Sequence, residues 1–256
     1  MKKILILLLA LLCCISVFVS CDKEGEGEQT TVPEEETTVP NKVLDEKIKE
    51  GDWYFQLNED HKSYRVVKYD GSETSIAIPA TAAGAAVTEI GDAAFQKNTS
   101  LKSVEIGENV LKIGNLAFNG CSSLSTVKIA KSVWAIGYSA FAGTPWFSAQ
   151  QGTNGYVIVG DGVLIKYLGT AASPKMTDSQ GIKYISDAFS GNHIITDITF
   201  SKTTLYVGER AFYNCSELKK LTLPVELKMF ASSAIEKCPS MVEIMFPGYE
   251  YGGGEY

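Results

Sequence analysis

The chain has 256 residues, 45% of them hydrophobic, with 30 acidic against 23 basic side chains and a net charge of −7. A net acidic chain gains no counter-ion release on a phosphate backbone, which excludes nucleic acid as an expected partner. Two histidines and six cysteines leave little material for a metal or a histidine-activated nucleophile.

In chain order, Lys2 and Lys3 precede an almost continuous apolar run from Ile4 to Val19. Its 16 residues fall short of the roughly 20 that span a bilayer as a helix, so residues 1–20 read as a removable export signal. Taking Lys2 and Lys3 from the 23 basic residues leaves 21 against 30, a net charge of −9. Its end, Phe18-Val19-Ser20-Cys21, resembles the lipobox of bacterial lipoproteins, with Phe18 where leucine is usual. That resemblance implies cleavage before Cys21 and lipidation of its sulfur and new amino group. Several chains matter, because each buried methylene adds only about 0.8 kcal/mol of membrane affinity. Residues 21–50 follow, with ten acidic and four basic side chains between Asp22 and Glu50 and Thr-Val-Pro at 31–33 and 38–40. Too little apolar area and too much like charge predict an acidic disordered tether.

Residues 51–85 read as an N-terminal β cap. Trp53 to Tyr69 holds two strand-like runs around Asn58-Glu59-Asp60, and Asp70-Gly71 turns the chain before a strand at Ser75–Ile78. A hairpin here would cover an end that otherwise exposes its core.

From 86 to 247 one phrase recurs. Ile90-Gly91 with Ala94-Phe95, Ile113-Gly114 with Ala117-Phe118, and Ile136-Gly137 with Ala140-Phe141 are 23 residues apart; Ala188-Phe189, Ala211-Phe212 and Ala234-Ile235 resume the same spacing. Three residues after the aromatic come Asn98, Cys121, Thr144, Asn192, Cys215 and Cys238. Apolar pairs two apart follow, such as Val104 and Ile106, Val127 and Ile129, and Leu221 and Leu223, as a half-buried strand requires. A fixed period of this length means stacked rungs, none able to bury its apolar face alone. One parallel strand ladder is expected, with the Ala-Phe segment as a single helical turn on the opposite side. Gly91, Gly114, Gly137 and Gly208 share a column where the backbone takes positive φ or approaches the next rung closely.

Leu-x-x-Val-x-Ile followed by Val-x-x-Ile-Gly-x-x-Ala-Phe-x-x-Cys resembles the BspA-like leucine-rich repeat of bacterial surface proteins, over roughly residues 54–247. The resemblance implies an α/β repeat: a right-handed leucine-rich-repeat solenoid on the cell envelope, of a kind linked to binding host or bacterial surface proteins. The segment 142–182 departs from the pattern, since Phe141 and Phe189 are 48 residues apart. It reads as a divergent rung with a hairpin, Tyr156–Val159 and Val163–Tyr167 about Gly160-Asp161-Gly162, in which Trp146 and Phe147 fill the gap. Residues 248–256 are a tail.

Little chemistry is visible. Cys13 and Cys14 leave with the signal, and Cys121, Cys215 and Cys238 read as one buried ladder; a disulfide between Cys215 and Cys238, in consecutive rungs, stays conceivable. His61 and His193 stand in turns without a nucleophile in view, and the run Glu34–Glu36 lies in the tether, where no fixed carboxylate separation is held. Neither catalysis, a cofactor nor a metal is expected. The default binding face is the outward side of the strand ladder: Lys102, Glu105, Thr126, Lys128, Asp197, Thr199, Lys219, Lys220, Thr222 and Glu243. The expected protein is exported, anchored by lipid in the cell envelope and exposed at its surface. Its partner is expected to be a host or bacterial surface protein; the alternative is a glycan-binding module on the envelope.

Overall fold

The computed structural model describes residues 46–246. The export signal, Cys21, most of the tether and the tail lie outside the described residues. Described first is an antiparallel meander of β1 (Lys47–Glu50), β2 (Trp53–Leu57) and β3 (Tyr64–Tyr69). The tether expected to run to residue 50 therefore gives way to a strand at Lys47. β2 and β3 form the hairpin read from the sequence, with Phe55 opposite Val66 and Leu57 opposite Tyr64, all four buried. β3 then pairs parallel with the first rung, which carries the meander into the repeat.

Each rung contributes two strands, not one. The Val-x-Ile strands are β4 (Ser75–Ala77), β7 (Ser103–Ile106) and β9 (Thr126–Ile129), then β14 (Asp197–Thr199), β16 (Lys220–Thr222) and β18 (Glu243–Met245). The Ile-Gly strands are β6 (Ala85–Ile90), joined to the short β5 (Thr81–Ala82), then β8 (Lys112–Ile113) and β10 (Ala135–Ile136). They continue as β13 (Tyr184–Ile185), β15 (Tyr206–Val207) and β17 (Met229–Phe230). The expectation of a single ladder is thus corrected to two. Two-residue strands are too short to show an alternating pattern, so the sequence displayed only their buried isoleucine and glycine. Ile90, Ile113 and Ile136 stand in register, as do Ile185, Val207 and Phe230.

The Ala-Phe segments are turns rather than helix. Their amides donate to the following rung at every second residue: Ala93, Phe95 and Lys97 to the carbonyls of Asn115, Ala117 and Asn119, at 2.9, 2.8 and 2.8 Å. Phe118 and Gly120 donate in the same way to Ala140 and Ala142 at 2.7 and 2.8 Å. A helix would need those donors for itself. Left-handed backbone prevents it: Lys97, Gly120, Gly143, Gly191, Asn214 and Lys237, one per rung and two residues past the Ala-Phe aromatic position, all have φ between 57° and 77°. Three of the six are glycine and one is asparagine, the residues that adopt this conformation most cheaply. The Ile-Gly glycines serve the other purpose considered for them. A Cβ on Gly114 would lie 2.6 Å from the Asp92 amide nitrogen, and one on Gly137 2.6 Å from that of Asn115.

The aromatics stack along the coil. Phe95 and Phe118 lie 4.8 Å apart between ring centroids, and Phe118 and Phe141 5.2 Å, with planes within 8°. Phe189 and Phe212 repeat the contact at 5.2 Å. Between these stacks the expected hairpin is present as β11 (Tyr156–Val159) and β12 (Val163–Tyr167), antiparallel, preceded by one short helix, α1 (Pro145–Ser148). β12 is buried on both faces. Val163 and Ile165 join the core of the first half, while Leu164 joins that of the second and pairs with Ile185 of β13. The hairpin is a septum between two stretches of core, and Trp146 and Tyr167 close the facing ends of the two stacks, 4.8 Å from Phe141 and 5.1 Å from Phe189.

The left-handed column makes a direct prediction for urea unfolding. Gly120→Ala should cost about 1 kcal/mol, because Cβ penalises this backbone, whereas Lys97→Gly should cost less or nothing. A larger loss for Lys97→Gly would contradict the assignment.

Candidate functional site

The outward residues of the Val-x-Ile strands fall into two three-stranded patches rather than one continuous array. In the first, Glu105 is in register with Lys128 and forms an ion pair with it, and Thr126 stands beside Ser103. In the second, Asp197, Lys220 and Glu243 make one row, with Lys220 Nζ 3.3 Å from Glu243, and Thr199, Thr222 and Met245 make the next. Lys102 and Lys219 precede β7 and β16, and their carbonyls accept the amides that start the following strands. Asp197 accepts the Thr196 hydroxyl at 2.6 Å and that of Ser173 at 3.1 Å. Exposed pairs of this kind contribute about 0–1 kcal/mol each, so they set the pattern of charge more than stability.

What divides the patches is α1. The Trp146 amide donates to the Leu124 carbonyl, just before β9, at 3.0 Å, so on this side the chain enters α1 rather than a further strand. Thr144, in the Cys and Asn column, caps the helix by accepting the Phe147 amide at 3.1 Å.

The cysteine ladder does structural work. Cys121, Cys215 and Cys238 each donate to the carbonyl of the preceding rung's Phe95, Phe189 or Phe212, at 3.0, 3.0 and 2.9 Å. Burial pushes the Cys121 thiol up to about 11 and that of Cys215 to about 12, and raises Cys238 in the same way. All three are free thiols, protonated at neutral pH and poor nucleophiles. Asn98 and Asn192, in the same column, instead accept amides in their own turn, such as Leu101 at 3.1 Å and Ile195 at 2.9 Å. His193 Nδ1 lies 3.1 Å from the Ser216 hydroxyl, a neighbour that residue spacing did not reveal. The nearby carboxylate, Glu217, faces that hydroxyl at 3.4 Å and both residues are exposed, so the pair lacks the oriented third member of a catalytic triad.

Sequence reasoning missed the outward face of the Ile-Gly strands. The residue before the buried position is Glu89, Lys112, Ala135, Tyr184, Tyr206 and Met229 along successive strands. Lining up that column would have shown a charged pair at one end and two tyrosines before the last position. Trp134, just before β10, packs 5.3 Å from Tyr206 and 6.4 Å from Tyr184, with Lys112 Nζ 5.5 Å from its centroid. Tyr184 also borders a groove of about 570 Å³ that runs over β8 and β6 to β3 and β1. Arg210 lies over the ring of Tyr138 at 4.4 Å on the neighbouring turns.

Asp187 was missed as well. It accepts the Ser139 amide at 2.7 Å, the Ser139 hydroxyl at 3.1 Å and the Ser186 hydroxyl at 3.2 Å. Asp92 and Asn115 tie their own rungs to the next, accepting the amides of Asn115 and Tyr138 at 2.7 and 3.0 Å. Asp187 stands one position later relative to the Ala-Phe aromatic of its rung and accepts in the opposite sense, from the earlier Ser139, so it makes a separate tie across the 48-residue interruption. Desolvation raises its carboxyl above the ordinary 3.8, against those hydrogen bonds. The Tyr184 hydroxyl is pushed up to about 12, by burial first and then by Glu209 and Asp187.

The chain matches the BspA type leucine-rich repeat region, in six copies, over residues 70–151 and 175–251, more than half its length. No curated protein matches it. Among solved structures it is similar to a leucine-rich repeat protein of T. pallidum, at 22% identity over 78% of this chain and 82% of that one, with a TM-score of 0.44. It is similar to a leucine-rich cell surface protein of Faecalibacterium prausnitzii at 18% identity, covering 80% and 96% with a TM-score of 0.26. The pneumococcal vaccine antigen PcpA is 16% identical over 78% and 81%, with a TM-score of 0.33. At these identities and scores the likenesses add nothing to the repeat match.

Asp187 supplies a pH prediction. The folded state binds its proton more tightly than the unfolded chain does, so its contribution to stability falls as pH rises from 3.8 through the folded-state value. Asp187→Asn keeps an acceptor for Ser139 and should flatten that slope in urea unfolding between pH 3.5 and 7. An unchanged slope would contradict the assignment.

Proposed function

Because the chain belongs to the BspA-type leucine-rich repeat family, we propose that it is a non-catalytic bacterial surface protein, lipid-anchored at Cys21, whose solenoid binds another protein. The observation that carries this reading is the pair of outward strand patches. Their side chains stand in rows held by rung-to-rung hydrogen bonds, so binding a partner orders little that is not already ordered. Lys220 stands between Asp197 and Glu243 in the second patch, with Lys219 just before its strand, which suits a partner of mixed charge.

The protonated, carbonyl-bound thiols and the exposed His193–Ser216 pair favour binding over catalysis. The lipobox-like ending supports a place in the envelope, and the acidic segment after Cys21 would hold the solenoid away from the membrane. The coil is taken as right-handed, the sense of nearly all crossovers between parallel strands of one sheet. The meander β1–β3 is taken as the cap over its first rung.

Full-length protein, extracted in detergent and immobilised, should capture a discrete surface protein, and Lys219→Ala with Lys220→Ala should weaken that capture at least tenfold. Capture unchanged by the double variant would remove this face from the account. Cys21→Ser should move the protein out of the detergent phase; unchanged partitioning would contradict the anchor.

A further inference from the structure

The outward face of the Ile-Gly ladder joins two features that suit one kind of ligand. The first is an aromatic platform. Trp134 and Tyr206 are half-buried, their centroids 5.3 Å apart at 44°, and the buried Tyr184 supports both. Rings fixed in this way lose little freedom when a flat apolar surface is laid on them. The second is the groove that begins at Tyr184. At about 570 Å³ it has the size of a ligand cleft, ~300–1,000 Å³.

The groove itself carries three cationic and two anionic side chains. Lys47, Arg65 and Lys112 face Glu89 and Asp92, and Lys112 Nζ lies 3.1 Å from Glu89. With Glu209 beside Asn115 the signs balance, so a strongly charged ligand of either sign meets as much repulsion as attraction. Asn115 and Glu209, 94 residues apart in the chain, meet at a long 3.3 Å and keep hydrogen-bonding capacity for a further partner. An uncharged ligand with hydroxyl edges and C–H faces satisfies both features.

We propose that this groove, together with the aromatic pair beyond its Tyr184 end, binds a neutral oligosaccharide, its sugar faces on Trp134 and Tyr206 outside the groove and its hydroxyls on Asn115 and Lys112 of the lining and on the adjacent Glu209. The site is separate from the Val-x-Ile face and does not rest on the protein-binding reading. It draws on both sides of the divergent segment: Trp134, Asn115 and Lys112 precede the septum, and Tyr206 and Glu209 follow it. The platform spans the septum, since Trp134 before it lies 6.4 Å from Tyr184 after it.

Full-length protein in detergent is titrated with cello-, malto-, xylo-, manno- and chitohexaose, and with sialylated and sulfated oligosaccharides, by calorimetry. At least one neutral hexasaccharide should bind, Tyr206→Ser and Glu209→Gln should each weaken it tenfold or more, and Lys219→Ala with Lys220→Ala should leave it unchanged. Trp134→Leu should abolish it; if that variant does not fold, as judged by circular dichroism, the other two decide. Failure of every neutral sugar to bind, tighter binding of the anionic ones, or affinity indifferent to Tyr206 and Glu209 would each overturn the proposal.

Discussion

A rung of 23 residues has no interior of its own, and everything in this molecule follows from that shortage. A buried phenylalanine such as Phe118 is covered only because Phe95 lies on one side and Phe141 on the other. Backbone polarity is settled by the same neighbours. Turn amides donate to the next rung, cysteine thiols to the preceding one, and Asp92, Asn115 and Asp187 tie amides at the third corner. Stability is then a sum of nearest-neighbour terms, and each repeated residue type marks a place where two rungs touch.

The interruption at 142–182 shows what such a system does when one rung is lost. Simple deletion would leave open faces on both halves. β12 instead presents Val163 and Ile165 to one half and Leu164 to the other, while Trp146 and Tyr167 finish the aromatic stacks. The cost falls on the Val-x-Ile side, where α1 stands in place of a further strand after β9 and the outward face is divided. On the Ile-Gly side the repair has the opposite effect, because Trp134 comes to lie against Tyr184 and Tyr206. One structural accommodation thus removes a continuous surface on one side and builds an aromatic platform on the other.

The repeat, its period, its buried columns and the hairpin at Tyr156–Tyr167 were all legible in the sequence, because burial recurs at fixed spacing and leaves apolar residues in register. The second ladder was not, since Lys112–Ile113 and its equivalents are two residues long and carry one inward side chain each. The Ala-Phe turns resembled helix because Ala and Phe are compatible with one. What excludes it is the left-handed backbone at Lys97 and its equivalents, where lysine gives no hint that glycine at 120 and 143 does. Asp187 and the Trp134 cluster depend on which rung follows Phe141 in space, and the chain alone does not reveal that across 48 residues. The candidate residues of the strand face fall in two separate patches, and that division depends on the same missing information.

The central claim is that neighbouring rungs are coupled directly and distant ones are not. A double-mutant cycle by urea unfolding tests it, with Phe95→Leu and Phe118→Leu as the adjacent pair and Phe95→Leu and Phe212→Leu as the distant one. The adjacent pair should show a coupling of about 0.5–1.5 kcal/mol, and the distant pair additivity within about 0.5 kcal/mol. Additive losses for Phe95 and Phe118, or equal coupling in both pairs, would contradict it.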